Sequence, residues 1–95
     1  RSHRANLRDL ADALHRLGVI NEESGEAKEA EAAFIESAGL RRTLIEDRGG
    51  ENHDRVKLAK SLRRLGRLQR SGRDLAQALQ SLHEAESVLQ RDNIE

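Results

Sequence analysis

Histidine, serine and carboxylate side chains are the groups in this sequence that could carry out acid–base, nucleophilic or metal chemistry. The four histidines, His3, His15, His53 and His83, lie far apart along the chain. None has a second histidine four residues away around a glutamate, the spacing by which a helix binds catalytic zinc. No Gly-x-Ser-x-Gly turn is present to expose a nucleophilic serine. We therefore predict that the histidines are solvated surface residues and that the protein is not an enzyme.

The segment 47–54 carries acidic and amide side chains around a glycine pair, Gly49 and Gly50. A calcium loop needs oxygen ligands at alternating positions and a closing glutamate, and this segment has neither. The chain also lacks cysteine, which excludes thiolate metal sites and disulfides. We predict a polar connector at this place, with no metal and no cofactor.

Charge is balanced overall, with 17 basic and 17 acidic side chains, but it is unevenly distributed. Residues 1–52 hold 8 basic and 11 acidic groups, whereas residues 53–95 hold 9 basic and 6 acidic groups. The overall balance lacks the net positive field of nucleic-acid binding proteins, and a single aromatic ring, that of Phe34, leaves little surface on which bases can stack. Nucleic acid is therefore not the expected partner.

The elements that must position these charges are helices. The chain has no proline and is rich in Ala, Leu, Glu, Arg and Gln, which favour helix formation. Breaks at glycines predict four amphipathic helices. Their predicted spans are 4–23, 26–48, 54–71 and 74–91. We expect Asp54 to cap the third helix, and Gly25 and Gly72 to adopt the left-handed conformation that ends many helices.

The sequence repeats itself at a displacement of 48 residues, without a gap. The identical pairs include Leu10 and Leu58, Ala11 and Ala59, Leu14 and Leu62, Leu17 and Leu65, Gly18 and Gly66, and Ala30 and Ala78. We predict an all-α single domain, 1–95, of two stacked antiparallel helix hairpins, about 4–48 and 54–91, each shielding the other's apolar side. An up-and-down four-helix bundle is the alternative, because its apolar stripes look similar.

The repeated residues resemble the tetratricopeptide repeat, whose pattern is Leu-Gly, Ala, a large apolar residue and a small residue. The matching residues are Leu17, Gly18, Ala30, Phe34 and Ser37 in the first copy and Leu65, Gly66, Ala78, Leu82 and Ala85 in the second. The period exceeds the usual ~34 residues and is similar to the extended repeats of kinesin light chains and of bacterial regulatory proteins. The resemblance implies a stack of hairpins that binds other proteins and performs no chemistry.

The resemblance also places the first helix of each hairpin on a concave binding face. It assigns to this face Lys60, Arg63, Arg67 and Arg70 in the second copy, and Asp12, His15, Val19 and Glu22 or Glu23 in the first. The predicted partner-binding residues are the four cations together with His15 and Asp12. An acidic peptide or partner helix is the expected ligand, because guanidinium groups bind carboxylates bidentately. Alternatively, the basic row only neutralises the acidic residues of the second helix.

A stack of two hairpins leaves apolar side chains at its ends, among them Leu75, Leu79, Leu82 and Leu89. We expect further repeats of a longer parent chain, or a second copy in a homodimer, to cover them. Structural self-association within a larger scaffold or regulatory protein is thus the alternative to peptide binding. No apolar run approaches the ~20 residues of a membrane span, and no signal segment is predicted. We expect a cytoplasmic protein.

Overall fold

The computed structural model describes residues 3–48 and 52–90, which form four helices. They are α1 His3–Glu23, α2 Ala27–Arg48, α3 Asn52–Ser71 and α4 Leu75–Gln90. The predicted all-α class is confirmed, and each helix lies close to its predicted span. The predicted break at Gly49–Gly50 lies outside the described residues.

The helices pack in chain order as two antiparallel hairpins. α1 packs against α2, α3 against α4, and α2 against α3. In an up-and-down bundle α1 would also pack against α4, and that pair is not among the closely packed helix pairs of the described chain. The predicted stack of two hairpins is therefore confirmed, and the arrangement is not the alternative four-helix bundle.

The turns inside the two hairpins have the same backbone hydrogen bonds, displaced by 48 residues. The amide of Glu26 donates to the carbonyl of Asn21 at 2.8 Å, and the amide of Asp74 donates to the carbonyl of Gln69 at 2.8 Å. This bond spans six residues and satisfies a carbonyl at the end of the helix, as in the Schellman motif. The duplication predicted from the side chains therefore extends to the backbone of the turns.

The residue with positive φ differs between the two turns. Gly25 has a φ of 82°, as predicted, whereas in the second turn Arg73 has a φ of 68°. The prediction that Gly72 adopts the left-handed conformation is therefore wrong. The duplicated hydrogen bonds place the left-handed position one residue after Gly72, so an arginine carries a conformation that glycine adopts without steric cost.

The prediction that Asp54 caps α3 is also wrong. α3 begins two residues earlier, at Asn52, and Asp54 lies in its first turn with a side chain that is 0% exposed. A capping residue precedes the first helical residue, so Asp54 has another role. Its carboxylate binds arginines of the first hairpin.

The core lies at the junction of the two hairpins. One apolar cluster contains Ala30, Phe34, Ala38, Leu58, Ala59, Leu62, Leu65 and Ala85. Glycines allow the helices of each hairpin to approach closely: a Cβ atom at Gly18 would lie 2.7 Å from the ring of Phe34, and one at Gly66 would lie 2.9 Å from Leu82. Equivalent glycines thus make equivalent contacts in both hairpins, which gives the two hairpins grooves of similar construction.

Candidate partner-binding groove

Each hairpin has a groove lined by its two helices, and the two grooves differ in what lies in them. The first groove, between α1 and α2, contains α3, which packs against α2 and binds side chains of α1. The second groove, between α3 and α4, is open and has a volume of 890 Å³. Its lining residues are Lys60, Arg63, Arg64, Arg67, Arg70, Leu79, Leu82, His83 and Glu86, with His15 of α1 at its border.

Among the side chains that the structure describes, four contacts join α1 to α3 along the first groove. The contacting pairs are Arg8 with Asp54 at 2.9 Å, Asp12 with Lys57 at 3.0 Å, His15 with Ser61 at 2.8 Å, and Glu22 with Arg64 at 3.1 Å. The residue numbers rise together on both helices, so α1 and α3 run parallel. These contacts fix which residue of α3 lies opposite each residue of α1.

A buried ion cluster lies at one end of the first groove. The side chains of Asp54 and Arg41 are 0% and 2% exposed, and Nη1 of Arg41 donates to Oδ1 of Asp54 at 3.2 Å. Arg8 also binds Asp54, and Arg41 also donates to Asp12. Partial burial raises the pKa of Asp12, but the hydrogen bonds and charges of Lys57 and Arg41 outweigh it and hold the pKa below its ordinary value. The cluster therefore ties α1, α2 and α3 together.

A second ion pair joins the hairpins on the other side of α2. Arg42 donates through Nε and Nη2 to the two carboxylate oxygens of Glu84 on α4, at 2.6 and 2.8 Å. This bidentate geometry is the strong form of an arginine–carboxylate contact. The hydrogen bond to Glu84 raises the pKa of Arg42, against the opposing effect of burial. Arg42 thus stays charged and connects α2 to α4.

His15 is half-buried in the first groove. Burial lowers its pKa, and the charges of Arg64, Arg41 and Lys60 lower it further. A neutral ring can accept the hydroxyl proton of Ser61 at Nδ1, whereas a protonated ring can only donate there. Its ring also meets the ring of Phe34 edge to face, with centroids 5.3 Å apart. The neutral form is therefore the one that suits this environment.

The contact of His15 with Ser61 corrects the prediction that all four histidines are solvated. His53 and His83 are exposed, and the side chain of His3 lies outside the described part. A serine bonded to histidine is also the arrangement of nucleophilic hydrolases. Here, however, Ser61 is 1% exposed and lies mid-helix, where backbone amides are bonded along the helix and do not form an oxyanion hole. The pair is suited to holding α1 against α3.

The second groove is basic on its α3 side. Its four predicted cations, Lys60, Arg63, Arg67 and Arg70, are all exposed. Within the described residues none of the four forms an ion pair. On the α4 side Leu79 is 63% exposed, and Glu86 is the one carboxylate among the described lining residues. The groove therefore offers excess positive charge next to exposed apolar surface.

The sequence repeat relates the two grooves position by position. A displacement of 48 residues carries Asp12 to Lys60, His15 to Arg63, Val19 to Arg67, Glu22 to Arg70, Phe34 to Leu82 and Ala38 to Glu86. In the first groove these positions contact α3 or belong to the core around it. In the second groove all six lining positions are open. The basic row is thus the counterpart of a surface that a helix covers in the first hairpin.

The structure divides the six predicted partner-binding residues into two sets. The four cations share the second groove. His15 and Lys60 border both this groove and a smaller cavity of 220 Å³ at the first groove, and Asp12 lines only the smaller cavity. The side chains of His15 and Asp12 already contact α3. Asp12 therefore shares a cavity with Lys60, but it does not line the second groove with the other three cations of the basic row.

The alternative of mutual neutralisation holds for one pair, Arg64 of α3 with Glu22 near the first turn, and it does not extend to the four cations of the basic row within the described residues. The cations Lys57 and Arg64 of α3 pair with carboxylates of α1. The α2–α3 pair in the described residues joins Arg41 on α2 to Asp54 on α3, so the basic partner lies on α2. The acidic side chains of α2 consequently leave the basic row of α3 unpaired.

Sequence reasoning missed the ion cluster. It predicted no buried charge at Arg41, although the repeat aligns this residue with Leu89 and thus with an apolar register. Comparing Arg41 with its counterpart in the repeat could have identified its buried position. Of the α4 side chains that the sequence predicts a two-hairpin stack to leave uncovered, Leu79 and Leu82 line the second groove.

In residues 3–48 and 52–90, no group of three or more His, Cys, Asp or Glu side chains is placed to hold a metal ion. Over the same residues, none of the helices has both the length and the apolar character needed to cross a membrane. Comparison of the chain with protein-family models, with curated proteins and with solved structures found no match. Its function is therefore argued from the two grooves.

Proposed function

We propose that the chain is a non-enzymatic protein-interaction module that binds an acidic peptide or partner helix in the second groove. The observation that carries this proposal is the exposed row of Lys60, Arg63, Arg67 and Arg70, which forms no ion pair within the described residues. Arginine binds carboxylates through two parallel hydrogen bonds. The stacked hairpins and their repeated glycine contacts support membership of the tetratricopeptide repeat family as part of the same proposal.

The spacing of the row adds an energetic reason for binding. Its members are three or four residues apart, so neighbouring cations lie on successive turns of one helix face. Like charges at this spacing destabilise a helix by about 0.2–0.5 kcal/mol per pair. An acidic ligand relieves this repulsion while it forms its own contacts, and the exposed Leu79 supplies apolar surface beside them.

The proposal is tested by titrating the full chain into a fluorescently labelled, glutamate-rich peptide. The double variant Arg63→Ala, Arg67→Ala should bind about tenfold more weakly or worse, because it removes two charge-assisted contacts. Affinity of the unaltered chain should fall as salt is raised, because both groups are near the surface. Circular dichroism should show unchanged helicity, since both side chains are exposed.

The matched control is the double variant Arg16→Ala, Lys28→Ala, which removes the same charge from exposed positions that do not line the second groove. It should bind nearly as well as the unaltered chain. An equal loss in both double variants would mean that only net charge matters, and unchanged affinity in the groove variant would mean that the ligand lies elsewhere. Either result rejects the second groove as the binding surface.

Self-association is the second candidate function, and a different observation favours it. Leu10, Leu17 and Ile20 share one face of α1 and are 47%, 47% and 57% exposed. A second copy covering this face would bury apolar surface on both chains. Sedimentation should then detect a dimer, and the melting temperature should rise with concentration. The variant Leu17→Glu, Ile20→Glu should abolish both effects, and a monomer at all concentrations would exclude this candidate.

A further inference from the structure

The filled first groove is a template for what the open second groove can take. α3 lies in the first groove as a helix parallel to α1, with Lys57, Ser61 and Arg64 directed at α1. The residue after each of these, Leu58, Leu62 and Leu65, is buried in the core. One face of α3 thus combines polar contacts to the groove wall with an adjoining apolar stripe that packs into the groove.

The repeat transfers this geometry to the second groove. Lys57 lies opposite Asp12, whose counterpart is Lys60, and Ser61 lies opposite His15, whose counterpart is Arg63. In the same way Arg64 lies opposite Glu22, whose counterpart is Arg70. A helix bound in the same way in the second groove would therefore place three of its own residues, j, j+4 and j+7, opposite three cations.

We infer that the partner of the second groove is an amphipathic helix that lies parallel to α3 and carries acidic side chains at positions j, j+4 and j+7, each followed by an apolar residue. This inference rests on the proposed function and specifies the conformation and charge register of the ligand. Position j faces Lys60, j+4 faces Arg63 and j+7 faces Arg70. The apolar residues pack towards Leu82, the counterpart of Phe34.

Helical spacing also favours a helix over an extended peptide. Neighbouring cations of the row lie about one turn apart, roughly 5.4 Å along the axis of α3. Side chains on one face of a parallel helix repeat at the same interval. The three facing pairs span seven residues of the ligand and ten of α3, and the long arginine side chain covers this offset, as that of Arg64 does towards Glu22 in the first groove. Side chains on one face of an extended strand repeat at roughly 6.6–6.8 Å, so they lose register along the row.

The charge pattern disfavours a second copy of this chain in the same position. In the repeat, α1 is the counterpart of α3, so α1 of a second copy is its segment most similar to the helix that fills the first groove. Its residues Asp9, Ala13 and Arg16 would then take the places of Lys57, Ser61 and Arg64. Asp9 would suit Lys60, but Ala13 offers Arg63 no carboxylate and Arg16 would meet Arg70 with the same charge. The groove therefore calls for a helix of different sequence.

The test uses the full chain and two 20-residue peptides based on α3, Asn52–Ser71. The register peptide replaces Lys57, Ser61 and Arg64 with glutamate. The control peptide instead replaces Lys60, Arg63 and Ser71 with glutamate, so it loses the same number of cations and gains the same number of acids. The register peptide should bind at least about tenfold more tightly, corresponding to ~1.4 kcal/mol or more, and should gain helicity on binding.

A charge swap provides the sharper measurement. Arg63→Glu in the chain should weaken binding of the register peptide, and a peptide with Ser61→Arg in place of glutamate should restore it. Rescue at this one position and not at neighbouring positions requires that the two residues face each other. The displaced positions for the comparison are Val56 and Ser71 of the peptide, which carry no charge and are exposed in α3.

Failures of the inference and of the proposed function give different results. Equal binding of the register peptide, the control peptide and a proline-interrupted version of the register peptide overturns the helical register but leaves acidic-ligand binding in place. A chain that self-associates until Arg63→Glu is introduced overturns the choice of ligand in favour of a second copy. Absence of binding by these peptides and by the glutamate-rich peptide overturns the proposed function as well.

Discussion

The first and second grooves occupy equivalent places in the two hairpins but stand in opposite relation to charge. In the first groove the acidic Asp12 and Glu22 face cations of α3, whereas in the second groove their counterparts Lys60 and Arg70 are themselves cations. The glycine contacts that set the helix separation are the same in both hairpins. The two copies of the repeat therefore have the same helix packing but different charges along their grooves. The charges that line a groove thus indicate which helix can bind in it.

The largest expected effect comes from breaking the filled groove at its buried ion pair. Asp54→Ala leaves Arg41, which is 2% exposed, without its buried carboxylate partner. We expect the free energy of unfolding to fall by about 3–5 kcal/mol, measured by urea denaturation followed by circular dichroism. Arg63→Ala, at an exposed position of the open groove, should change it by no more than about 0.5 kcal/mol.

If Asp54→Ala lowers the free energy of unfolding by less than about 1 kcal/mol, solvent compensates for the lost ion pair. The two grooves would then not differ in how strongly their charged residues contribute to stability. If Asp54→Ala does not fold, Asp54→Asn gives a usable measurement, because the amide keeps the shape of the side chain and one acceptor oxygen. Its loss should lie between those of Asp54→Ala and the Arg63→Ala control.

The next effect sharpens the comparison at the equivalent glycines. A methyl group at Gly18 would lie 2.7 Å from the ring of Phe34, which is 0% exposed and has no room to move. Gly18→Ala should therefore incur a packing cost of about 1–3 kcal/mol, larger than the ~1 kcal/mol gained in helix propensity. Leu82, which lines the open groove, can rotate away from a methyl group at Gly66, so Gly66→Ala should be neutral or stabilising. Equal thermal shifts for the two variants would contradict this account.

A smaller effect is expected at the two turns, whose hydrogen bonds are the same. Arg73→Gly should raise the free energy of unfolding by about 0.5–1 kcal/mol, because it removes a left-handed conformation that is strained for a residue with a side chain. Gly25→Arg introduces that strain into the first turn and should lower stability by a similar amount. Thermal denaturation of both variants checks the pair, and two shifts of the same sign would contradict the equivalence of the turns.

The smallest effect concerns protonation in the filled groove. The pKa of His15 is lowered from 6.5 in the folded state, first by burial and then by Arg64, Arg41 and Lys60. His15 therefore binds a proton more readily in the unfolded chain than in the folded chain. The stability that neutral His15 contributes above pH 6.5 is lost as the pH falls from the pKa of the unfolded state towards the lower pKa of the folded state. His15→Gln should reduce the stability difference between about pH 7.5 and about pH 5.5.

The matched control for the pH measurement is His83→Gln, which removes an exposed histidine from the border of the open groove. This variant should keep the pH dependence of the unaltered chain. Identical profiles for His15→Gln and the unaltered chain would show that the contacts of His15 do not depend on its protonation.

The backbone of this fold was predictable from the sequence because its signals are local and repeated. Apolar residues at helical spacing, glycine breaks and the 48-residue displacement define the four helices and their pairing into hairpins. Which turn residue adopts positive φ was not predictable from residue type. The hydrogen bonds of the second turn place this conformation at Arg73 although a glycine precedes it.

The candidate site was predictable only in part. The basic row was visible because its four members repeat on one helix face. The pairing of Arg8 and Arg41 with Asp54 depends on how α3 sits relative to α1 and α2, which no local pattern specifies. Since Asp54 resembles a helix cap in sequence, its burial becomes evident only when the hairpins are stacked.

The charged contacts between α1 and α3 also forbid sliding of one hairpin along the other. Moving α3 by one helical turn in one direction would bring Asp54 opposite Asp12, and moving it in the other would bring Lys57 near Arg8. Either shift sets like charges against each other in a partly buried interface, where repulsion is screened less than at an open surface. Apolar side chains alone would tolerate such shifts, so the ionic groups give the junction of the two hairpins a single alignment.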